Sequence, residues 1–229
     1  MKQIKTISIL LSAVFALTAC TLDNYNSPDA GLYGSIIDSE TGELVEQDIV
    51  MGTKIFFKEM GYGNPSLQSM VIKNNGEYRN TMMFRGSYKI YTTIESNFPP
   101  QDTVKINLNG VRRYDFVVTP YIRITNARVF KTGRKVKASF DVQQTGDGSV
   151  STVALFGSTQ PTVGKFLNEM SSEIIAATKC YTPTTFTVEI NLDDFPKIAE
   201  GKKYFFRVGA LSSIGGAKYN YAPAIEIEL

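Results

Sequence analysis

The chain contains no histidine and no tryptophan, and only two cysteines, Cys20 and Cys180, in 229 residues. Without imidazole there is no serine–histidine–aspartate or cysteine–histidine nucleophile and no histidine-ligated metal. The usual general base near neutral pH is missing too. Without tryptophan, the best flat surface for stacking on a sugar is absent. Two cysteines exclude a disulfide-stapled scaffold. With 43% hydrophobic and 20% charged residues, the composition is that of a globular protein and excludes low-complexity disorder. The length suits one large or two small domains.

What is present begins with an address. Lys2 and Lys5 precede an apolar run from Ile7 to Leu17, interrupted only by Ser8 and Ser12. A membrane-spanning helix needs about 20 apolar residues, so this run is too short and fits a secretory leader. Its end, Leu17-Thr18-Ala19-Cys20, resembles the bacterial lipobox. The resemblance implies a signal peptide over 1–19, cleavage before Cys20, and acylation of that cysteine's thiol and amino group. Several acyl chains give stable anchoring. Thr21 is not the aspartate that retains many lipoproteins at the inner membrane, so nothing argues against outer-membrane sorting, and the outer membrane, at the cell surface, is the expected location. Residues 20–31 are rich in Asp, Asn, Ser, Pro and Gly, the composition of a tether.

Removal of the leader leaves 22 basic and 22 acidic residues, which excludes a broad basic field for nucleic acid. Residues 20–119 hold 9 bases and 12 acids, and residues 120–229 hold 13 bases and 10 acids. The opposite signs favour contact between the two halves. Six of the bases lie between Arg123 and Lys137, interleaved with Ile122, Ile124, Ala127 and Val129, the pattern of a solvated strand face. Cys180, the one thiol left after acylation, reads as a small core residue because no histidine is available to activate it.

From Leu32 onward the dominant period is two. Thr53–Phe57, Gly86–Thr92, Val104–Leu108, Val136–Val142 and Val153–Phe156 are short, apolar and β-branched or aromatic, and Asn74-Asn75-Gly76, Asn109-Gly110 and Gly146–Ser149 supply turns. The expected fold is all-β: two tandem β-sandwich domains over 32–119 and 120–229, each folding independently, with the seam at Thr119-Pro120. The closing Tyr221–Leu229 reads as one last strand. Between Thr162 and Thr178, Phe166, Met170 and Ile174 recur at four-residue spacing, which fits a short helix or an ordered crossover loop.

Gly34–Val45, with its Asp38-Ser39-Glu40-Thr41-Gly42 turn, resembles the opening strand of carboxypeptidase-regulatory, transthyretin-like domains. Gly76-Glu77-Tyr78 and Gly86-Ser87-Tyr88-Lys89-Ile90 resemble their closing pattern. Asp38, Glu40 and Glu43 also have the chemistry of a calcium site. A turn in which Asp38 and Thr41 bond the backbone and Gly42 takes an unusual φ explains the same residues without a metal. Ile198–Ala210 resembles the corner of immunoglobulin-like fibronectin type III domains, with Tyr204 as the tyrosine whose hydroxyl returns to the corner backbone. Glu200 stands where that family usually has proline.

The lipobox, the tether, Leu32-Tyr33-Gly34 and the two sandwiches together resemble the Bacteroidetes lipoprotein family called domain of unknown function 3823. The resemblance implies a neighbourhood of outer-membrane glycan uptake, with a TonB-dependent porin and a starch-binding-type lipoprotein as partners. It implies no catalytic residue and no cofactor. The expected function is therefore a non-enzymatic surface protein that binds polysaccharide or docks on the uptake complex. A structural or adhesive spacer is the alternative. A two-carboxylate glycosidase is weaker: Asp193-Asp194 is the one adjacent acid pair, and neighbouring strand residues point to opposite faces. The expected ligand contacts are loop aromatics, Tyr62, Tyr219 and Tyr221, which sit among Gly, Asn and Pro and are expected to be exposed.

Overall fold

The structure of the protein, a computed structural model, describes residues 26–229; the leader and Cys20 lie outside the described residues. From Ala30 onward strand follows strand, and the one helical element among the described residues is a single 3-10 turn, Leu192–Asp194. The chain is all-β, in two sandwiches.

The first sandwich contains β1 (Ala30–Asp38), β2 (Lys54–Glu59), β3 (Gln68–Val71), β4 (Glu77–Met83), β5 (Gly86–Thr92), β6 (Val104–Leu108), β7 (Val111–Arg113) and β8 (Phe116–Val118). One sheet runs β4–β1–β7, with β8 continuing alongside β1; the other runs β3–β2–β5–β6. β1 is antiparallel to β4 and parallel to β7 and β8. Alternation builds the core: Leu32, Ile36, Ile55, Phe57, Tyr88, Ile90, Ile106 and Leu108 are buried between the sheets. Gly34 is required by close approach, since a Cβ there would lie 1.8 Å from the Tyr114 carbonyl oxygen. The turn after β1 is held as expected. The Asp38 carboxylate accepts from the Glu40 amide at 3.0 Å, Thr41 Oγ1 accepts from the Glu43 amide at 3.2 Å, and Gly42 has φ +73°. The expected tether ends earlier than 31. Ala30 is buried and Gly31 lies against the Asn80 backbone, so both belong to β1.

The second sandwich contains β9 (Ile122–Thr132), β10 (Lys135–Gln144), β11 (Val150–Ser158), β12 (Met170–Thr178), β13 (Thr184–Asn191), β14 (Lys203–Ser212), β15 (Asn220–Tyr221) and β16 (Ile225–Glu228). Its sheets run β13–β10–β9 and β12–β11–β14–β15, with β16 also on β14. Val136, Ala138, Phe140, Val153, Leu155, Phe206 and Val208 fill the space between them, joined by the free thiol Cys180. The Ala199 amide donates to the Tyr204 hydroxyl at 3.1 Å, so the tyrosine corner closes as its residues suggested.

Two local expectations are corrected. The stretch 170–178 is strand β12, held in the ladder of β11, and Phe166 precedes it in a loop; of the four-residue series only Met170 is buried, so the spacing marks no helix face. The last strand is broken into β15 and β16, since Pro223 between them has no amide to donate.

β11 and β14 are buried on both faces. Inward residues enter the sandwich core, while Ala154, Phe156 and Arg207 face the first domain and the 159–169 loop. This explains why Val153-Ala154-Leu155-Phe156 is continuously apolar. Every ion pair across the domain junction among the described residues takes its acid from the first domain and its base from the second: Arg123 with Asp38 and Glu40, Arg207 with Glu46, and Lys218 with Glu95. The charge asymmetry of the two halves is thus used at their contact.

Candidate functional site

Of the three expected aromatic contacts, the structure leaves one open. Tyr219 and Tyr221 are 8% and 6% exposed, a correction to the expectation that both rings would face solvent. The physical reason is the junction. They pack with Phe156, at ring centroid distances of 5.7 and 6.1 Å, on the outward face of the β11–β14 sheet together with Ala154 and Val163, and Asp48 of the first domain meets Tyr221. The Tyr219 hydroxyl donates to Glu173 at 3.1 Å. The Tyr221 hydroxyl donates to Asp48 at 3.3 Å and accepts from the Lys165 amide at 3.1 Å. Burial first, then the neighbouring carboxylates, pushes both phenols well above their ordinary pKa, so they stay protonated.

The Tyr221 ring lies 4.3 Å below the guanidinium of Arg207, which is fully buried. Arg207 donates to the carbonyls of Ala222, Gln47, Val163 and Asn74 at 2.9, 3.0, 3.3 and 2.9 Å, and pairs with the Glu46 carboxylate. Burial lowers its pKa, Glu46 opposes this, and the guanidinium remains cationic. The site is structural: one side chain joins four backbone segments to β14. Phe98, another loop aromatic, is wholly buried in the first core.

Tyr62 is 67% exposed, on the loop that leaves β2 directly after Glu59. It does not line the groove over the outer face of the β3–β2–β5–β6 sheet; that face carries other aromatics, which sequence reasoning missed. The register arranges it in rows. Phe56 stands opposite Tyr91 on one side and Ser69 on the other; Lys58, Lys89 and Lys105 form the next row; Ser87 and Asn107 form the third. The Phe56 and Tyr91 ring centroids are 5.7 Å apart with planes inclined by 60°. A groove of about 450 Å³ opens over them, lined also by Val50, Met51, Lys54 and Ile94. Ile94 is 81% exposed. At its rim Lys218 of the second domain pairs with Glu95 at 2.8 Å, and that hydrogen bond and charge hold the Glu95 carboxyl below its ordinary range.

The missed signal is parity. Ile55 and Phe57 point inward, so Phe56 shares the outward face with Lys54 and Lys58, and Tyr91 likewise shares it with Lys89. The arrangement offers an aromatic and aliphatic floor with ammonium and carboxylate groups at its edge, which is the make-up of a small-ligand site. Among the described residues no cluster of three or more acidic or cysteine side chains stands ready to hold a metal. Asp38 is instead engaged by Arg123 at 2.6 and 2.8 Å. Burial works against the Asp38 carboxylate, yet Arg123 and the turn amides outweigh it and hold the pKa below the ordinary value. Asp193 and Asp194 lie on the 3-10 turn of the second domain, where Asp193 pairs with Arg134 at 2.8 Å.

Two family models match the chain. The DUF3823 N-terminal domain covers residues 30–119, and the DUF3823_C domain covers residues 122–226, both described as of unknown function. The chain belongs to the DUF3823 family. A solved structure of a candidate carbohydrate-binding protein from Bacteroides uniformis ATCC 8492 is similar to it at TM-score 0.79 and 30% identity, covering 88% of this chain and 100% of that one. DUF3823 proteins from Parabacteroides merdae ATCC 43184 and Bacteroides ovatus ATCC 8483 share the fold. Their TM-scores are 0.77 and 0.72, with 21% and 22% identity, over 89% and 87% of this chain and 100% and 99% of theirs. No curated protein matches the chain.

Proposed function

We propose that this DUF3823 protein is a non-enzymatic, lipid-anchored lipoprotein of the outer-membrane surface that holds polysaccharide on the outer face of its β3–β2–β5–β6 sheet. The observation that carries this reading is the Phe56–Tyr91 pair in an open groove. Apolar faces of sugar rings pack on aromatic rings, and few polar groups are needed to fix orientation. The Bacteroides uniformis neighbour described as a candidate carbohydrate-binding protein supports the ligand class. The anchor is Cys20, and the tether between it and β1 lifts the sheet from the membrane. A TonB-dependent porin and a starch-binding-type lipoprotein are the expected partners.

The test is migration of the intact chain through gels containing neutral polysaccharides (starch, xylan, mixed-linkage glucan) or acidic ones (polygalacturonate, chondroitin sulfate). Retardation by at least one is expected, and a Phe56→Ala/Tyr91→Ala variant with an unchanged melt loses it. Retardation by none overturns the reading and leaves a spacer. In cells that produce the full chain, Cys20→Ala is expected to move the protein from the detergent to the aqueous phase; unchanged partitioning removes the anchor.

A further inference from the structure

We infer that the polysaccharide held on this face is anionic, carrying uronate or sulfate groups; the inference rests on the glycan-binding reading above. Lys58, Lys89 and Lys105 stand directly opposite one another across β2, β5 and β6. Their neighbours Phe57, Tyr88, Ile90 and Ile106 are buried inward, which places all three ammonium groups on the outer face. Like charges opposite each other across strands are destabilising. Lysines on the strands of the second domain escape this by pairing: Lys135 and Lys137 share Glu189, and Lys203 meets Glu226. Among the described residues no carboxylate lies within 4.0 Å of the three lysines of the first-domain row. The row spans about 10 Å, and one step along the strands, about 7 Å away, lies the Phe56–Tyr91 row. A chain of sugars lying across the sheet meets aromatic rings on one side and ammonium groups on the other. Neutral sugars satisfy only the first. Lysine presents a compact point charge and does not demand a planar partner, so carboxylate and sulfate both complement it.

The experiment measures retention of the intact chain by polygalacturonate, by its fully methyl-esterified and therefore uncharged counterpart, and by chondroitin sulfate. Retention by at least one of the two polyanions is expected, with weaker retention by the esterified polymer. Each exposed ion pair contributes modestly, so Lys58→Gln/Lys89→Gln/Lys105→Gln together are expected to weaken retention about tenfold. The melt of that variant stays unchanged or rises, because the self-repulsion is gone. Phe56→Ala/Tyr91→Ala weakens the same retention. Retention by neutral polymers alone, indifferent to the lysine changes, overturns the anionic inference and leaves glycan binding standing. Retention by none of the neutral or acidic polymers overturns both. Lysine-dependent binding to polyglutamate that ignores Phe56→Ala/Tyr91→Ala overturns the inference, since charge alone then suffices. Lysine-dependent binding to phosphatidylglycerol vesicles without polyanion retention also overturns it, in favour of a sheet that faces lipid.

Discussion

Two aromatic pairs of this molecule have opposite fates. Tyr219 and Tyr221 sit among glycine, asparagine and proline, the surroundings of an exposed loop, and are buried. Phe56 and Tyr91 sit in strands next to residues that fill a core, Ile55, Phe57 and Ile90, and line an open groove. The difference lies in what covers each sheet. The β11–β14 sheet meets the other domain through Arg207, and the Tyr221 ring lies under that guanidinium. The outer face of β3–β2–β5–β6 has only a rim contribution, from Lys218. Composition of the local segment therefore says less about exposure than the strand's parity and its neighbour in the fold.

The comparison is broken most severely at Arg207. Arg207→Ala takes a donor from Glu46 and from four backbone carbonyls, of which Asn74 keeps the Gln47 amide, and removing one partner of a buried ion pair costs about 3–5 kcal/mol. For a chain of this size that lowers the melt by roughly 10 °C, which calorimetry reads directly. The same contacts bear on the expectation that each half folds alone. A fragment over 120–229 lacks Glu46, Gln47 and Asn74, so its melt is expected to fall well below that of the intact chain. Tyr221→Phe keeps the ring under the guanidinium and removes the bonds to Asp48 and Lys165, a loss of about 1 kcal/mol by denaturant titration. The smallest effect is pH-dependent. Asp38 has a folded-state pKa below its unfolded value, so it contributes stability above the ordinary carboxylate range and loses it as pH falls through the folded value. Between pH 6 and pH 3 the wild type is expected to lose more stability than Asp38→Asn; equal losses contradict the Arg123–Asp38 junction contact.

The fold was legible because pattern and turn chemistry agree along most of the chain. β5 and β6 fall on the apolar segments that announce them, Gly42 takes the φ its turn requires, and Tyr204 receives the Ala199 amide. Cys180 is in the core, as a thiol without an activating base suggests. The failures are tertiary. Periodicity over Phe166, Met170 and Ile174 fits a helix until β11 supplies a ladder. The outward parity of Phe56 was readable beside Lys54 and Lys58, but three consecutive apolar residues mask it. Nothing local marks Arg207 as buried, because its partners lie at Glu46, Gln47, Asn74, Val163 and Ala222.

The central claim is that the open strand-face pair meets ligand while the junction pair only holds the domains together. The most direct measurement is the affinity of Tyr91→Ala and Tyr221→Phe for whichever polysaccharide retains the wild type, taken well below both melts. The account predicts about tenfold weaker binding for Tyr91→Ala, as for an anchoring ring, and wild-type affinity for Tyr221→Phe despite its lower stability. Loss of binding in Tyr221→Phe with affinity intact in Tyr91→Ala would contradict it.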